Sequence, residues 1–409
     1  MRETLKTAAF AGAALVLVLA AGIVEPDTVT PKILDDQGEA FYPKFTDPKA
    51  PKTIEVIDYD EETATARPLK VQFEKGRWVI ASHHNYPVDA GDRLAKTAGA
   101  LVDLRKDVVR SDSPQDHGEL GVVDPLDQKV AALTGRGKRV TLRDEHGEVL
   151  ADYVLGKPVE GKEGFRYVRV PGEKRTYAVK TAADPSARFA DWVDPNLLRI
   201  AASSIRKVTV HSYTIDEMIG RLVNAVSIVL TREDGQWRAS GDANPSKQVI
   251  NEMVSTLDGL RVVDVRPKPP SLAQDLRKGQ LQLSLETAVS LRQRGFLLSP
   301  SGRILANDGE MAVETSDGLV YTLRFGEVAT GGPDSRSAAG AMENRHLFVT
   351  AHYKPQSPEA DTAAGERRAR SLNERFADWY FIIRGQDVQK LKMQKATLVS
   401  GAAQPKPEL

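Results

Sequence analysis

Few side chains in this sequence have the types and spacing that catalysis requires. Ser204 and Lys207 match the Ser-x-x-Lys pattern of penicillin-binding enzymes, in which a nucleophilic serine opens a helix beside a lysine. The partner motif Lys-Thr-Gly is absent from the sequence, and Ser204 leads into an alternating apolar run that predicts a strand. The sequence also lacks Gly-x-Ser-x-Gly, a phosphate-binding loop and His-Glu-x-x-His. We therefore predict that the protein is not an enzyme and has no catalytic residues.

Side chains that bind metals are scattered rather than clustered. His83 and His84 are adjacent, and neighbouring side chains on an extended segment point to opposite faces, so the pair cannot hold one ion without help. His346 and His352 share a predicted strand with Tyr353 and would line a pocket there, but His352 and Tyr353 alternate faces. An acidic run offers a weak calcium site, although a solvated strand end is the simpler interpretation (Asp58, Asp60, Glu61, Glu62). We predict no metal site and no cofactor.

The composition excludes several classes of protein. Lys plus Arg (56) equals Asp plus Glu (56), which leaves no basic excess for binding nucleic acid. The chain has no cysteine, and this excludes disulfides, thiolate metal sites and cysteine nucleophiles. With 41% hydrophobic and 27% charged residues over 409 positions, the chain has the composition of a globular protein of two or three domains.

The N-terminus contains an uncharged apolar run that predicts a transmembrane helix. Residues 8–24 are rich in Ala, Leu and Val, with Arg2 and Lys6 before them and Glu25 and Asp27 after them. The positive-inside rule then leaves the N-terminus in the cytoplasm and sends the rest of the chain across the membrane. Seventeen residues rise about 26 Å as a helix, just under a hydrocarbon core of roughly 30 Å, so a cleaved signal peptide and a retained anchor both fit. We favour the anchor, which makes the protein single-pass in the cytoplasmic membrane with its body on the extracytoplasmic, periplasmic side.

Changes in composition divide the chain into five predicted segments. Residues 25–52 contain five prolines among charged residues and predict an extended stalk. The apolar side chains in this segment instead favour docking against the body (Ile33, Leu34, Phe41, Tyr42, Phe45). The predicted segments are an anchor or signal segment (1–24), a Pro-rich stalk (25–52), a first unit (53–203), a second unit (204–395) and a disordered tail (396–409).

The two body units share a series of motifs in the same order. Arg-Phe-Ala-Asp-Trp occurs at 188–192 and again at 375–379. Earlier in each unit an alternating strand runs into a Gly-x-Trp hairpin turn, at Gly76 and Gly235. A proline and then an apolar pattern of helical spacing follow each turn. The collinear order predicts that one fold is repeated.

Short alternating strands follow the helix in each unit and predict an antiparallel meander. The predicted strands are 140–143, 149–155, 165–170 and 176–179 in the first unit and 296–298, 311–313, 319–325 and 347–353 in the second. The Phe-Ala-Asp-Trp segment is then predicted to form a helix that closes each unit. Residues 331–341 and 354–370 have no counterpart in the first unit and predict flexible loops. The predicted fold class is α+β, with two tandem repeated units of antiparallel β-meander plus helices after one N-terminal transmembrane helix.

These motifs resemble a bacterial family, the domain of unknown function 4340. The resemblance is carried by the N-terminal apolar segment, Tyr-x-Leu-Gly at 153–156, and Phe-Ala-Asp-Trp at 189–192 and 376–379. It implies hairpin and meander units in an extracytoplasmic, membrane-tethered accessory of gliding-motility-type ABC transport systems. It implies no catalytic residue and no cofactor.

The predicted function follows from this location and from the lack of a catalytic constellation. We expect a non-enzymatic accessory or scaffold component of an envelope transport system, with the membrane and the subunits of the transport complex as partners and no nucleic acid. A periplasmic ligand-binding module for cell-wall glycan or solute is the alternative. The recurring tryptophans are predicted core anchors rather than exposed binding residues (Trp78, Trp192, Trp237, Trp379). Asp191 and Asp378 are predicted to make local hydrogen bonds.

Overall fold

The protein is an α+β chain built around two antiparallel sheets. The computed structural model describes residues 36–89, 91–194, 196–216, 221–240, 246–282, 284–299, 302–330, 343–357 and 360–392. The predicted anchor (1–24), loop (331–341) and tail (396–409) lie outside the described residues. Within the described ranges no helix has both the length and the apolar character needed to cross a membrane.

The first half of the chain forms a sheet of nine strands together with one main helix. The elements in chain order are β1 (Thr53–Asp60), β2 (Thr65–Glu74), β3 (Arg77–Ile80), β4 (Tyr86–Pro87), α1 (Gly91–Leu101), β5 (Val108–Ser111), α2 (His117–Leu120), β6 (Lys138–Arg143), β7 (Val149–Pro158), β8 (Phe165–Arg169) and β9 (Thr176–Lys180). The strand order is β4-β3-β2-β1-β6-β7-β8-β9-β5. Val56 on β1 lies opposite Leu69 on β2 and Val140 on β6, and all three side chains are fully buried. The alternating apolar residues therefore fix which face of the sheet covers the core.

The second sheet contains eight strands. The elements in chain order are β10 (Ile205–Asp216), β11 (Arg221–Glu233), β12 (Gln236–Ala239), α3 (Lys247–Asp258), β13 (Val262–Pro267), α4 (Pro270–Lys278), α5 (Leu285–Arg292), β14 (Phe296–Leu298), β15 (Ile304–Ala306), β16 (Glu310–Thr315), β17 (Leu319–Val328), β18 (Arg345–Tyr353), α6 (Thr362–Ala377), β19 (Trp379–Ile383) and α7 (Gly385–Leu391). The strand order is β12-β11-β10-β16-β17-β18-β19-β13.

Both predicted hairpin turns have the backbone that a two-residue turn requires. Lys75 and Gly76 have φ of 52° and 81°, and Asp234 and Gly235 have φ of 48° and 78°. Positive φ at both central residues matches the right-handed twist of the flanking strands. Each turn leads into a short strand that carries a half-buried tryptophan, Trp78 or Trp237.

One hydrophobic cluster contains buried side chains from both sheets and from the helices that cover them. The predicted helix of the first unit is α1, which buries Leu94, Ala98 and Leu101. The predicted helix of the second unit is α3, which buries Met253 and Leu257 and whose N-cap Ser246 accepts a hydrogen bond from the Val249 N–H at 3.3 Å. The helical spacing of the apolar residues thus places one stripe of each helix in the shared core.

Residues 270–306 form a helical insertion on the outer face of the second sheet. The sequence assigned 296–298 to the meander, but this strand pairs with β15 in a separate two-stranded sheet. Phe296 is fully buried there with Leu272, Leu291 and Tyr380. The meander assignment was wrong because a short apolar run does not reveal its pairing partner.

The two Phe-Ala-Asp-Trp segments lie on different elements. In the first unit, residues Phe189–Asp191 form a single 3₁₀ turn after β9, and Trp192 is fully buried. In the second unit, Phe376 ends α6, and Trp379 begins β19. The prediction of a closing helix in each unit is therefore corrected. The five-residue run from Trp379 is aromatic and β-branched, so it favours a strand.

The structure also corrects the predictions of a flexible loop at 354–370 and of an extended stalk at 25–52. Of the predicted loop at 354–370, the part from residue 362 onward belongs to α6, whose N-cap Asp361 accepts a hydrogen bond from the Ala364 N–H at 2.9 Å. Its Ala, Glu and Arg residues are strong helix formers, and this outweighs the low apolar content. In the predicted stalk, Phe45 is only 2% exposed, and the Tyr42 hydroxyl donates to the Asp152 carbonyl at 2.8 Å. The described end of the segment is therefore docked on the body.

Close packing explains the glycine of Tyr-x-Leu-Gly at 153–156 and a second strand glycine, Gly326. A Cβ on Gly156 of β7 would lie 2.6 Å from the Leu120 carbonyl oxygen, and one on Gly326 of β17 would lie 2.1 Å from that of Arg294. Both distances are too short for any side chain. A glycine is needed in each strand because the backbone of a preceding helical segment packs directly against it.

Candidate functional site

A layer of buried polar side chains lies on the outer face of the second sheet. Asp264 of β13 is paired with Ile382 of β19, which in turn is paired with His346 of β18. Directly paired residues share a face of the sheet, and Tyr380, two residues from Ile382, shares it too. Asp264 is 1% exposed and His346 is 7% exposed. Polar groups buried this deeply on an otherwise apolar sheet mark the region as a candidate site.

The first unit contributes His83 to this layer. His83 is 3% exposed, and its Nε2 lies 3.8 Å from Oδ1 of Asp264 but has no hydrogen-bond partner. Asp264 instead accepts hydrogen bonds from the Val265 N–H at 2.7 Å and from Arg266 at 2.5 Å. Burial lowers the pKa of His83, and the Asp264 carboxylate opposes that shift. The contact between His83 and Asp264 connects the segment after β3 of the first sheet to β13 of the second sheet through titratable groups.

His346 is the most strongly perturbed histidine of the layer. Burial, together with the positive charges of Arg294 and Arg266, lowers the pKa of His346 to about 4. Its Nδ1 is buried and has no hydrogen-bond partner. The ring is therefore neutral at neutral pH, and protonating it would place a third positive charge beside two arginines.

Lys268 follows β13 and lies beneath the helical insertion. It is 5% exposed, and its Nζ donates to the Phe376 carbonyl at the end of α6 at 2.8 Å. The ammonium group lies 4.1 Å from the ring centroid of Phe348 and 5.3 Å from that of Tyr380. Burial lowers the pKa of Lys268 well below its ordinary value, although the charge of Asp378 opposes the shift. A helix-end carbonyl and two aromatic faces thus surround this amine.

Arg294 completes the cationic side of the site. It donates to the Ser290 carbonyl at 2.9 Å and stacks 4.7 Å from the ring centroid of Tyr380. The hydroxyls of Ser290 and Tyr380 are 3.0 Å apart. The Nε atom of Arg294 is buried without a hydrogen-bond partner.

Lys268 and Arg294 both line a cleft between α5 and the segment that leads into α4. The cleft has a volume of about 740 Å³. Its apolar lining comes from the end of β13, the start of α4 with the residue before it, and α5 (Pro267, Pro269, Pro270, Leu285, Val289). A concave, mainly apolar site with a few convergent polar groups has the form of a small-molecule site. The sequence contained a signal for it, since a lysine among three prolines directly follows a buried strand, but that signal was not used.

A second cleft, of about 720 Å³, lies in the first unit beside α1. Its charged side chains have both signs, with Arg93 and Lys96 facing Asp184 and Asp191. The two carboxylates already have partners, because Lys138 donates to Asp184 at 2.8 Å and Ser186 donates to Asp191 at 2.5 Å. This cleft therefore lacks a distinct electrostatic preference.

The residues weighed in the sequence lie apart from one another. His84 is exposed and has φ of 58°, whereas the neighbouring His83 is buried. Ser204 ends a 3₁₀ turn before β10 and donates to the Ala201 carbonyl at 2.7 Å. In the acidic run, Asp60 accepts a hydrogen bond from the Glu62 N–H at 3.0 Å and so stabilises a turn. Among the described residues no group of three or more histidines and carboxylates could hold a metal ion.

The two aspartates that were predicted to make local hydrogen bonds differ in the partners they have. Asp191 accepts hydrogen bonds from Ser186 and from Arg188, at 2.5 Å and 3.0 Å. These two partners are local, as predicted. The carboxylate of Asp378 instead accepts a hydrogen bond at 2.5 Å from Arg277 of α4, 101 residues earlier in the chain, so the local role predicted for Asp378 is wrong. Among the tryptophans, Trp192 is fully buried, while the other three are half-buried against the core (Trp78, Trp237, Trp379).

Comparison with known proteins identifies a family but no activity. No curated protein matches the chain. The crystal structure of kievitone hydratase from Nectria haematococca aligns at 9% identity over 85% of this chain and 94% of that chain. Its TM-score of 0.11 is too low to indicate a shared fold. The model of a family described as Domain of unknown function (DUF4340) matches residues 78–284, just over half of the 409 residues. The match runs from β3 of the first unit to the start of α5 in the second, and the chain therefore belongs to the DUF4340 family.

Proposed function

We propose that this protein is a membrane-anchored, extracytoplasmic accessory subunit of an envelope transport system. In this proposal residues 8–24 hold the chain in the cytoplasmic membrane, and the body acts by contact with transport subunits, without chemistry of its own. The uncharged run and its flanking charges support the anchor. Membership of a family without assigned chemistry is consistent with the proposed role.

The observation that carries this proposal is a projecting β-arm. Strand β10 pairs with β16 only up to His211, and β11 pairs with β12 only from Leu230. Beyond those points, among the residues that the structure describes, the two strands pair only with each other, from Ser212 with Val226 to Asp216 with Arg221. The arm presents Leu222 and Val223 to solvent, at 38% and 37% exposure. Apolar side chains on a projecting hairpin suit contact with another protein.

Photocrosslinking in intact cells tests the proposal. A photoreactive amino acid at Leu222 should trap a transport permease or one of its companion subunits as a discrete product. The matched control is the same amino acid at Glu145, an exposed site on the β6–β7 turn of the other unit. If the Leu222 position gives only the products of the Glu145 position, the contact role fails.

We also propose that residues 53–203 and 204–395 are two copies of one duplicated fold. Support comes from the strand orders, in which β3-β2-β1-β6-β7-β8-β9-β5 corresponds to β12-β11-β10-β16-β17-β18-β19-β13. The close-packed glycines Gly156 and Gly326 fall on corresponding strands, β7 and β17. The Phe-Ala-Asp-Trp segments do not correspond, so the motif itself is no guide to the alignment. Superposition of the eight matched strands in chain order tests the proposal, and a mismatch in strand direction would contradict it.

A second candidate function is a periplasmic ligand-binding module. The observation that favours it is the cleft of about 740 Å³ on the helical insertion, where apolar walls meet Lys268 and Arg294. Binding of a cell-wall glycan or a solute to the isolated full-length protein, without recovery of a transport subunit, would favour this function over the contact role.

A further inference from the structure

The cleft on the helical insertion has an apolar side and a cationic side. On the apolar side, Leu285 and Val289 of α5 are 82% and 46% exposed. They are four residues apart and therefore lie on one face of the helix. The prolines at 267, 269 and 270 form the facing wall. Contiguous apolar surface of this kind is costly in water unless it is covered.

The cationic side lacks a compensating carboxylate. Among the described residues no carboxylate oxygen lies within 4.0 Å of Lys268 or Arg294. Asp378, the acidic group whose charge acts most directly on Lys268, is paired with Arg277 at 2.5 Å. Glu286 also lines the cleft, but it is exposed to solvent and accepts a hydrogen bond from Ser271 at 3.2 Å. A buried cation without a counter-charge is electrostatically unfavourable, and an anion that enters the cleft would relieve this.

The available donors suit one anionic head group. Lys268 Nζ donates to the Phe376 carbonyl. An anion in the cleft would favour the protonated amine, which has two further hydrogens to donate. Arg294 also lines the cleft, and its guanidinium group carries five N–H donors, of which those on Nη1 contact Ser290. Carboxylates and phosphates are the anions that such cationic donors bind most strongly.

We propose that this cleft binds an anionic amphiphile, which is a carboxylate or phosphate monoester on an apolar chain. The anion lies at Lys268 and Arg294, and the chain lies along Leu285 and Val289. The proposal rests on the second candidate function and specifies its ligand class. The cleft volume of about 740 Å³ falls within the range of roughly 300 to 1,000 Å³ that is usual for small-molecule sites.

Binding of defined probes to the full-length chain in phosphatidylcholine nanodiscs tests the ligand class. The probes are dodecanoate, dodecyl phosphate, dodecanol and dodecyltrimethylammonium, titrated calorimetrically with empty nanodiscs as the blank. We expect saturable binding of the two anions and at least tenfold weaker binding of the alcohol and the cation. Equal affinity for dodecanol would overturn the role of the two cations. Tighter binding of dodecanoate than of dodecyl phosphate indicates a free fatty acid as the source, and the reverse order indicates a phosphorylated lipid.

Substitutions in the cleft locate the site. Arg294→Gln should weaken dodecanoate binding at least tenfold, while Lys278→Met, which removes an exposed lysine outside the cleft, should leave it unchanged. Because Lys268→Met also removes a contact to the end of α6, Val289→Trp serves as the second variant. It fills the mouth of the cleft from an exposed position and should abolish binding without lowering the melting temperature. Unchanged affinity in both Arg294→Gln and Val289→Trp would place the site elsewhere and overturn the proposal.

One further probe separates this proposal from the function on which it rests. A neutral oligomer of N-acetylglucosamine that binds the chain when dodecanoate does not would retain the ligand-binding function and overturn the amphiphile. If none of the probes binds, both the amphiphile and the ligand-binding function lose their support, and the contact role is then tested by the crosslinking experiment alone.

Discussion

Acidification should destabilise the fold through His346. The ring is 7% exposed, its Nδ1 has no partner, and Arg266 and Arg294 lie close enough to disfavour its protonation. Lowering the pH forces a proton onto the ring in the unfolded chain well before it does so in the folded chain. The folded state therefore loses stability as the pH falls through this interval.

The size of the effect follows from the pKa of His346, which falls from an ordinary 6.5 to about 4 in the folded protein. Between these values the unfolded chain binds more protons than the folded chain, so the free energy of unfolding rises with pH across the interval. Each pKa unit corresponds to about 1.4 kcal/mol, which gives a loss of about 3 kcal/mol between pH 7.5 and pH 4. Below about pH 4 both states are protonated and the contribution of His346 levels off.

Urea denaturation of the wild type and of His346→Leu at pH 7.5, 5.5 and 4 measures this contribution. Leucine removes the titrating group and fills a similar volume, so the difference in free energy of unfolding between the two proteins should shift by about 3 kcal/mol toward the variant at pH 4. His146→Leu is the matched control, because the His146 ring is 77% exposed on the β6–β7 turn. The pH dependence of that variant should match the wild type.

Using the difference between variants removes the contributions of the other acidic and basic groups, including His83. If the wild type and His346→Leu lose stability in parallel from pH 7.5 to pH 4, within about 0.5 kcal/mol, then His346 does not titrate as a buried group. That result would refute the electrostatic description of the polar layer.

Three further predictions concern packing and the membrane. Gly326→Ala should destabilise the fold by about 1 to 3 kcal/mol in urea denaturation, because the new Cβ would lie 2.1 Å from the Arg294 carbonyl. Gly99→Ala in α1, where the Cβ meets no atom within 4 Å, should instead stabilise by about 0.5 to 1 kcal/mol, and a similar loss in both variants would contradict the close-packing argument. Trp192→Ala should cost about 3 to 5 kcal/mol and Trp237→Ala clearly less, since only Trp192 is fully buried, and equal costs would argue against this ranking. Full-length chain should stay in membranes washed with alkaline carbonate, whereas a soluble form beginning near residue 22 would show that the N-terminal segment is cleaved.

The strands and helices with regular apolar spacing could be predicted from the sequence. The 140–143 and 165–170 predictions correspond to β6 and β8, and the two-residue turns at Gly76 and Gly235 join the expected strands. These elements are determined locally, since alternating burial and a turn with positive φ depend on a few neighbouring residues. The match to α+β architecture follows from them.

Features that depend on distant partners could not be predicted in the same way. The sequence of 376–379 is the same as that of 189–192. In the later copy Trp379 begins β19, which pairs with β18 through Phe381 and Leu347. The earlier copy forms a 3₁₀ turn instead. Identical short sequences thus adopt different structures because their tertiary partners differ. The polar layer was missed for the same reason, since His83 and Asp264 are far apart in sequence and lie 3.8 Å apart in the fold.

Burying the polar layer costs free energy of folding. This cost indicates that the layer has a role other than stability, at the junction of the units. Apolar residues at Asp264 and His346 would pack against the insertion without the cost of burying polar groups, and partner-less atoms such as His83 Nε2 add to that cost. The groups occur where the first unit, the second sheet and the helical insertion meet, and the cleft with Lys268 opens beside them. A ligand anion or an acidic side chain in the cleft would interact electrostatically with the polar layer, in which His83 contacts Asp264. Because binding there changes the charge balance around His346 and Arg294, occupancy of the cleft and the stability of the junction should be thermodynamically linked.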